Sequence, residues 1–144
     1  PLRRQRQMCI RDRIPALRAA YPDLQVLSCH DEYLLPTMFD VDGLLVGYGN
    51  IAPELLVDLI EAGKARDYAA AHAIHERLLP ITKAVYHRGS HMEGTVALKW
   101  GLVTRGILDH APVREPLLPL PAGADAEIAA AFASADLSTV TVPA

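Results

Sequence analysis

The sequence predicts an α/β fold that holds only part of a parallel sheet, together with a larger helical region. Two short apolar segments, residues 24–28 and 43–47, are typical of buried parallel strands, and helical patterns lie before, between and after them. The second half of the chain carries helical patterns and no strand pattern. Two parallel strands alone would leave unpaired edges and an uncovered apolar face, so the other strands are expected from a missing part or from another chain.

The first half alternates between helix and strand. The pattern predicts the end of a helix over residues 14–21, a helix over 31–40 that Asp31 caps, and a helix over 53–63 that starts at a proline and ends at a glycine. The resulting order, helix–strand–helix–strand–helix, implies right-handed crossovers within one parallel sheet.

The second half predicts three helices separated by turns and a proline-rich segment. The predicted helix caps are Asp67, Ser90 and Asp125. Pro80 should kink the first of these helices, and Ser90 with Glu93 has the spacing of a capping box for the second, which Gly106 ends. Residues 112–121 are expected to be extended.

Composition narrows the class of protein. A chain of 144 residues with 51% hydrophobic content can form one globular domain with a real core. A net charge of −3 gives no indication of nucleic acid as a partner, and no apolar run has transmembrane length. Cys9 and Cys29 form no disulfide framework, which is typical of a reducing cytosol and predicts a cytoplasmic protein.

The first 13 residues differ from the rest. Five arginines fall here: Arg3, Arg4, Arg6, Arg11 and Arg13. Residues 8–13 read Met-Cys-Ile-Arg-Asp-Arg and resemble translated sequencing-adapter DNA. An artefactual or truncated end is therefore the favoured interpretation of residues 1–13, while a disordered arm and a binding arm for an anionic partner stay open.

Several motifs follow one another in a specific order. Residues 26–32 read Val-Leu-Ser-Cys-His-Asp-Glu, residues 42–54 run from Asp-Gly-Leu-Leu-Val-Gly to Asn-Ile-Ala-Pro-Glu, residues 96–103 contain Leu-Lys-Trp-Gly-Leu, and residues 114–120 read Arg-Glu-Pro-Leu-Leu-Pro-Leu. In this order and spacing they resemble the dihydrodipicolinate synthase/N-acetylneuraminate lyase family of class I aldolases. The resemblance covers about residues 14–136.

The resemblance implies a fold and a chemistry. The family fold is a (β/α)8 TIM barrel with a C-terminal helical extension, and a whole barrel needs about 250 residues. This chain would hold barrel strands seven and eight with their helices over residues 14–63, the extension over 64–136 and a tail over 137–144. Family enzymes form a Schiff base between a lysine and pyruvate or another 2-keto acid, which then reacts with an aldehyde; no cofactor is implied. A homo-oligomer, either a tetramer or a dimer, is expected for the parent enzyme.

The resemblance also implies that the catalytic residues are missing. The Schiff-base lysine lies at the end of strand six, roughly two dozen residues before Ser28 on the catalytic face, where this sequence has Arg4 and Gln5. The family takes its catalytic tyrosine from an earlier strand. The lysines of this chain, all on predicted helices or at a helix end, are Lys64, Lys83 and Lys99. We therefore predict no catalytic residue and an inactive isolated chain.

The rim of the pocket is the part of the site that this chain would keep, because loops after strands seven and eight face the active site in this fold. The predicted substrate-binding residues are Ser28, His30, Asp31, Leu45, Gly47, Tyr48 and Asn50. Gly47 and Gly49 would allow a ligand to approach the backbone. Plainer roles stay open: Asp31 as a helix cap, His30 as an exposed loop residue and Tyr48 as a packing residue.

Other interpretations carry less weight. His72 and His75 lie one helical turn apart, but no third ligand follows in a metal-site pattern, so an exposed helix face is favoured and no metal is predicted. Cys29, His30 and Asp31 have the residue types of a nucleophilic triad, yet adjacent residues do not converge in space as a triad does. A non-catalytic role also stays open, in which the helical half is an interaction or oligomerisation module.

Overall fold

The computed structural model of the chain describes residues 10–137 and 139–140. Its elements in order are α1 (Ile10–Ala20), β1 (Leu27–Ser28), a 3-10 turn (Asp31–Tyr33) that runs into α2 (Leu34–Thr37), β2 (Gly43–Leu44), α3 (Tyr48–Ile51), α4 (Pro53–Lys64), α5 (Tyr68–Val85), α6 (His91–Thr104) and α7 (Ala124–Ser134). Most described residues are helical, as predicted. Within the described residues no helix is long and apolar enough to cross a membrane. The predicted N-terminal arm lies largely outside them.

The two strands are short but parallel. Leu27 pairs with Gly43 and Ser28 with Leu44, so the prediction of adjacent parallel strands is confirmed. Each strand has two residues instead of the predicted five, and after β2 the chain turns into α3. Leu27 and Leu45 lie on the same face of the pair by strand alternation, and their side chains are 54% and 70% exposed.

The core lies among the helices and not on the sheet. Helix α5 packs against α4, α6 and α7, and α6 packs against α7. Helix α3 packs against α4 and α6. The largest side chains that are fully buried there include Tyr48, Ile51, Leu55, Leu59, Leu78, Ile81, Val85, Ile128 and Phe132. Glycine permits two close approaches: a Cβ on Gly63 would lie 2.6 Å from the carbonyl oxygen of Met38, and one on Gly101 would lie 3.0 Å from Cγ2 of Ile51.

Local cap signals in the second half are mostly confirmed. The Asp67 carboxylate accepts a hydrogen bond from the Ala70 N–H at 2.9 Å, and the Ser90 hydroxyl accepts one from the Glu93 N–H at 3.2 Å. Gly106 follows α6 with a φ of 73°, the left-handed conformation that glycine favours at a helix end. Helix α5 runs through Pro80 without interruption.

Three predicted helix boundaries are wrong. Asp31 does not cap α2: the helix ends at Thr37 instead of near Asp40, and the Asp31 carboxylate binds elsewhere. Asp125 does not cap α7, because that helix already starts at Ala124 after Gly123, which has a φ of 87°. Helix α4 continues past Gly63 to Lys64.

Asp42 ties α1 and the start of β1 together. Its carboxylate accepts hydrogen bonds from the Val26 N–H at 2.7 Å and from Arg18 at 2.8 Å, and the first of these is the main reason that the pKa of Asp42 is lowered. Since the folded pKa lies below the unfolded value of about 3.9, this contribution to stability is present above that pH and is lost as the pH falls through the folded pKa.

We therefore expect Asp42→Asn to weaken the acid dependence of folding. The measurement is the urea unfolding free energy between pH 6 and pH 3, in which the variant should lose less stability on acidification than the parent chain. Asp58→Asn, on the exposed face of α4, is the matched control and should leave the acid dependence unchanged. Equal slopes for the parent chain and Asp42→Asn would contradict this role.

Candidate functional site

The candidate site lies where β1 and β2 end. Because the strands are parallel, residues 29–33 and 45–50 leave the sheet at the same edge. The carboxyl ends of parallel strands are where ligands bind in α/β proteins. Most of the predicted substrate-binding residues fall in these two loops.

Asp31 joins the two loops. Its carboxylate accepts hydrogen bonds from the Tyr48 N–H at 2.8 Å and from the Gly47 N–H at 3.2 Å, so Asp31 caps the short helix α3. It also accepts one from the Tyr86 hydroxyl at 2.7 Å. The sequence predicted that Asp31 caps the helix that directly follows it, and that prediction is wrong because the helix it caps is the one after β2.

Tyr48 contributes its backbone to this edge and its side chain to the core. The side chain is fully buried, and its hydroxyl donates to the Leu78 carbonyl oxygen at 3.3 Å and contacts the Thr82 hydroxyl. Burial is the main reason that the pKa of Tyr48 is raised well above its usual value. The packing role that the sequence left open is therefore the one the side chain has.

The other predicted residues divide by exposure. Ser28 is buried, and its hydroxyl lies 3.1 Å from the Thr37 hydroxyl. His30, Leu45 and Asn50 are exposed, and the Asn50 amide donates to the Gly47 carbonyl oxygen at 3.1 Å. Among the predicted substrate-binding residues, those with exposed side chains at this edge are thus His30, Leu45 and Asn50.

Two further residues at this edge were not predicted from the sequence. Tyr86, the residue after α5, bonds to Asp31 from 55 positions away, and His87 lies 3.6 Å from the Glu32 carboxylate. Neither residue belongs to a motif, since both follow a helix end with no distinctive spacing. Only a three-dimensional arrangement brings them to the strand ends.

Position 47 has little room for a side chain. Its φ of −63° is ordinary for any residue, but a Cβ would lie 2.6 Å from the Tyr86 hydroxyl oxygen and 3.0 Å from Cδ1 of Leu98. We expect Gly47→Ala to lower the unfolding free energy by about 1–3 kcal/mol, and by less in a Tyr86→Phe background, which removes the nearer atom. Urea unfolding of the single and double variants measures this.

Gly49→Ala is the matched control, because no atom lies within 4 Å of a Cβ at that position. It should change stability by about 0.5 kcal/mol or less. If the Gly47 and Gly49 variants lost equal stability, the contact with Tyr86 would not be the reason that glycine is needed.

The three lysines are helical residues. Lys64 pairs with Glu61 at 3.1 Å, the Lys99 ammonium donates to the Pro112 carbonyl oxygen at 2.6 Å, and Lys83 is exposed on α5.

The sequence also raised the question of a metal site on α5. His72 lies on the exposed face of this helix, and its imidazole is 3.6 Å from the Glu76 carboxylate. Within residues 10–137 and 139–140, no three His, Cys, Asp or Glu side chains are grouped so as to hold a metal ion.

Comparison with known proteins identifies the family. The model of the Dihydrodipicolinate synthetase family matches residues 8–135. The 4-hydroxy-tetrahydrodipicolinate synthase of Kineococcus radiotolerans is 32% identical over 120 residues, which are 83% of this chain and 38% of that protein.

Solved structures agree. A monomeric dihydrodipicolinate synthase variant superimposes with a TM-score of 0.73 at 21% identity, over 86% of this chain and 40% of that one. YagE of Escherichia coli K12, in complex with pyruvate, gives a TM-score of 0.71 at 27% identity, over 86% and 41%. The chain spans about two-fifths of the length of these relatives. The resemblance seen in the motifs is confirmed, and the chain belongs to the dihydrodipicolinate synthetase family.

Proposed function

We propose that this chain forms part of a Schiff-base-forming lyase or aldolase that acts on pyruvate or another 2-keto acid and on an aldehyde. In this proposal β1 and β2 are strands seven and eight of the family's TIM barrel. The observation that carries the proposal is the parallel pairing of β1 with β2, whose following loops meet at Asp31. That edge corresponds to the catalytic face of a barrel, and YagE is a family member that holds pyruvate.

The rim residues have two proposed roles. His30, Leu45 and Asn50 are exposed and would contact the second substrate. The remaining members would shape the rim instead: Ser28, Asp31, Gly47 and Tyr48. Asp31 and Gly47 are half-buried and bonded to each other, and the side chains of Ser28 and Tyr48 are buried.

We further propose that these 144 residues do not form the Schiff base by themselves. A nucleophilic lysine needs a neutral amine, which proteins obtain by desolvation or by a neighbouring cation. Lys64 is paired with a carboxylate and Lys83 is exposed, while Lys99 bonds to a carbonyl oxygen. None of the three lysines is buried.

Borohydride trapping with pyruvate tests both statements. The two proteins compared are the 144-residue chain and the product of the genomic reading frame that encodes residues 14–136. We expect a reduced pyruvate adduct on a lysine of the genomic product, and none on the 144-residue chain, by intact mass and peptide mapping. An adduct on Lys64, Lys83 or Lys99 would contradict the proposed inactivity, and a genomic product without any adduct would contradict the lyase assignment.

A second candidate function is a non-catalytic oligomerisation module. The observation that favours it is a set of exposed apolar side chains in and after α6: Met92, Ile107, Leu108 and Leu118. Size-exclusion chromatography separates the candidates. A stable, monodisperse oligomer that stays inert would favour the module, whereas an aggregating chain that binds ANS would indicate an uncovered barrel sheet. The lyase or aldolase proposal also includes a homo-oligomeric parent enzyme, either a dimer or a tetramer.

A further inference from the structure

Three segments meet at the Asp31 carboxylate. One oxygen accepts hydrogen bonds from the Tyr48 N–H at 2.8 Å and the Tyr86 hydroxyl at 2.7 Å, and the other accepts from the Gly47 N–H at 3.2 Å. The donors come from the loop after β2 and from the end of α5. Hydrogen bonds to an ionised acceptor are roughly twice as strong as neutral ones, so this joint is a strong local restraint.

The Tyr86 hydroxyl is placed to donate to Asp31. Its ring centroid lies 5.2 Å from that of the fully buried Tyr48. Burial is the first cause, and the bond to Asp31 the second, of a Tyr86 pKa raised well above its usual value, so the phenol stays protonated and donates. The hydroxyl also occupies the space that a side chain on Gly47 would need. Tyr86 therefore orients Asp31 from the helical extension.

Four consecutive backbone N–H groups in the loop after β2, those of residues 47–50, have hydrogen-bond partners. The Gly47 and Tyr48 N–H groups bond to Asp31, the Gly49 N–H bonds to the Val46 carbonyl oxygen at 3.1 Å, and the Asn50 N–H bonds to the Gly47 carbonyl oxygen at 3.0 Å. The last two bonds lie within the loop. Among the contacts of the described residues, Asp31 is the one group outside the loop that accepts hydrogen bonds from these four amides.

We propose that Asp31 and Tyr86 are positioning residues, through which the helical extension fixes the loop after β2 against the loop after β1. Neither residue touches substrate in this proposal. That the fixed loop is a pocket rim rests on the proposed function, whereas the restraint itself rests on the contacts alone. The next residue, His87, lies 3.6 Å from the Glu32 carboxylate, and its side chain is more exposed.

Amide hydrogen exchange in the 144-residue chain, followed by NMR, tests the restraint residue by residue. In Asp31→Asn we expect the Gly47 and Tyr48 amides to exchange roughly tenfold faster, because a charged acceptor is lost. In Tyr86→Phe the same two amides should exchange about threefold faster, since the carboxylate loses its orienting donor. The core amides of Leu59 and Ile81 should keep their rates in both variants.

A spectroscopic signature accompanies these rates. The Gly47 and Tyr48 amide protons should move upfield in Asp31→Asn, because a neutral amide oxygen is a weaker acceptor than a carboxylate. Matched controls are Tyr21→Phe and Asp23→Asn, which alter exposed residues of the same types outside the joint. Both should leave the two amides unchanged.

Two outcomes would overturn the proposal. One is unchanged exchange and unchanged shifts at Gly47 and Tyr48 in both variants. The other is an equal acceleration of the Leu59 and Ile81 amides, because that would show a general loss of stability and no local positioning. Failure of the genomic product to trap pyruvate would refute the proposed function and leave these exchange results, and hence the positioning, standing.

Discussion

Phe132→Ala is expected to lower the unfolding free energy of the chain by about 3–5 kcal/mol. The Phe132 ring on α7 is 1% exposed, and its Cζ lies 3.1 Å from the position that a Cβ on Gly101 would take. Truncation removes the transfer free energy of a large ring and leaves a cavity that the surrounding helices cannot fill. The total unfolding free energy of a small domain is about 5–15 kcal/mol, so this substitution would remove a large part of it.

Urea unfolding measures this loss, with Leu118→Ala as the matched control. Leu118 is also a large apolar residue, but its side chain is 76% exposed, so its truncation should cost about 0.5 kcal/mol or less. Phe132→Leu should fall between the two because it keeps part of the volume. A Phe132→Ala loss as small as that of Leu118→Ala would show that α7 is not packed on the core.

The features that the sequence predicts correctly are those with local signals. An aspartate or serine at the N-cap can accept a hydrogen bond from the backbone N–H three residues later, and Asp67 and Ser90 both do so. The two apolar segments with a helix between them predict a parallel pair, because a helical crossover returns the chain to the same end of the sheet, and the strands pair in parallel.

The features that the sequence does not predict depend on distant partners. Asp31 precedes one helix and caps another 17 positions along the chain, because the parallel strands bring the two loops together. Tyr86 contacts it from a segment without any motif. Tyr48 was grouped with the rim by its place after a strand, but α3 starts at Tyr48 and its side chain enters the helical core.

Glu54→Ala is expected to lower the unfolding free energy by about 2–3 kcal/mol. Arg105 at the end of α6 is 3% exposed, and one of its guanidinium nitrogens pairs with the Glu54 carboxylate at the start of α4. Its Nε atom has no hydrogen-bond partner, so Glu54 is the main compensation for a buried charge. Breaking a fully buried pair costs about 3–5 kcal/mol. The expected loss here is smaller, because the Glu54 side chain is 48% exposed and water can replace part of the lost interaction.

The exposed pair on the same helix gives a matched control. Glu61 contacts Lys64 with both side chains more than half exposed, so Glu61→Ala should cost about 0.5 kcal/mol or less. The decisive comparison is Glu54→Ala with Arg105→Met added, measured by urea unfolding. The double variant should be more stable than Glu54→Ala alone, because the buried guanidinium is then replaced by an apolar side chain and no unpaired charge remains. If the second substitution lowered stability further, the loss in Glu54→Ala would come from the start of α4 and not from the uncompensated charge of Arg105.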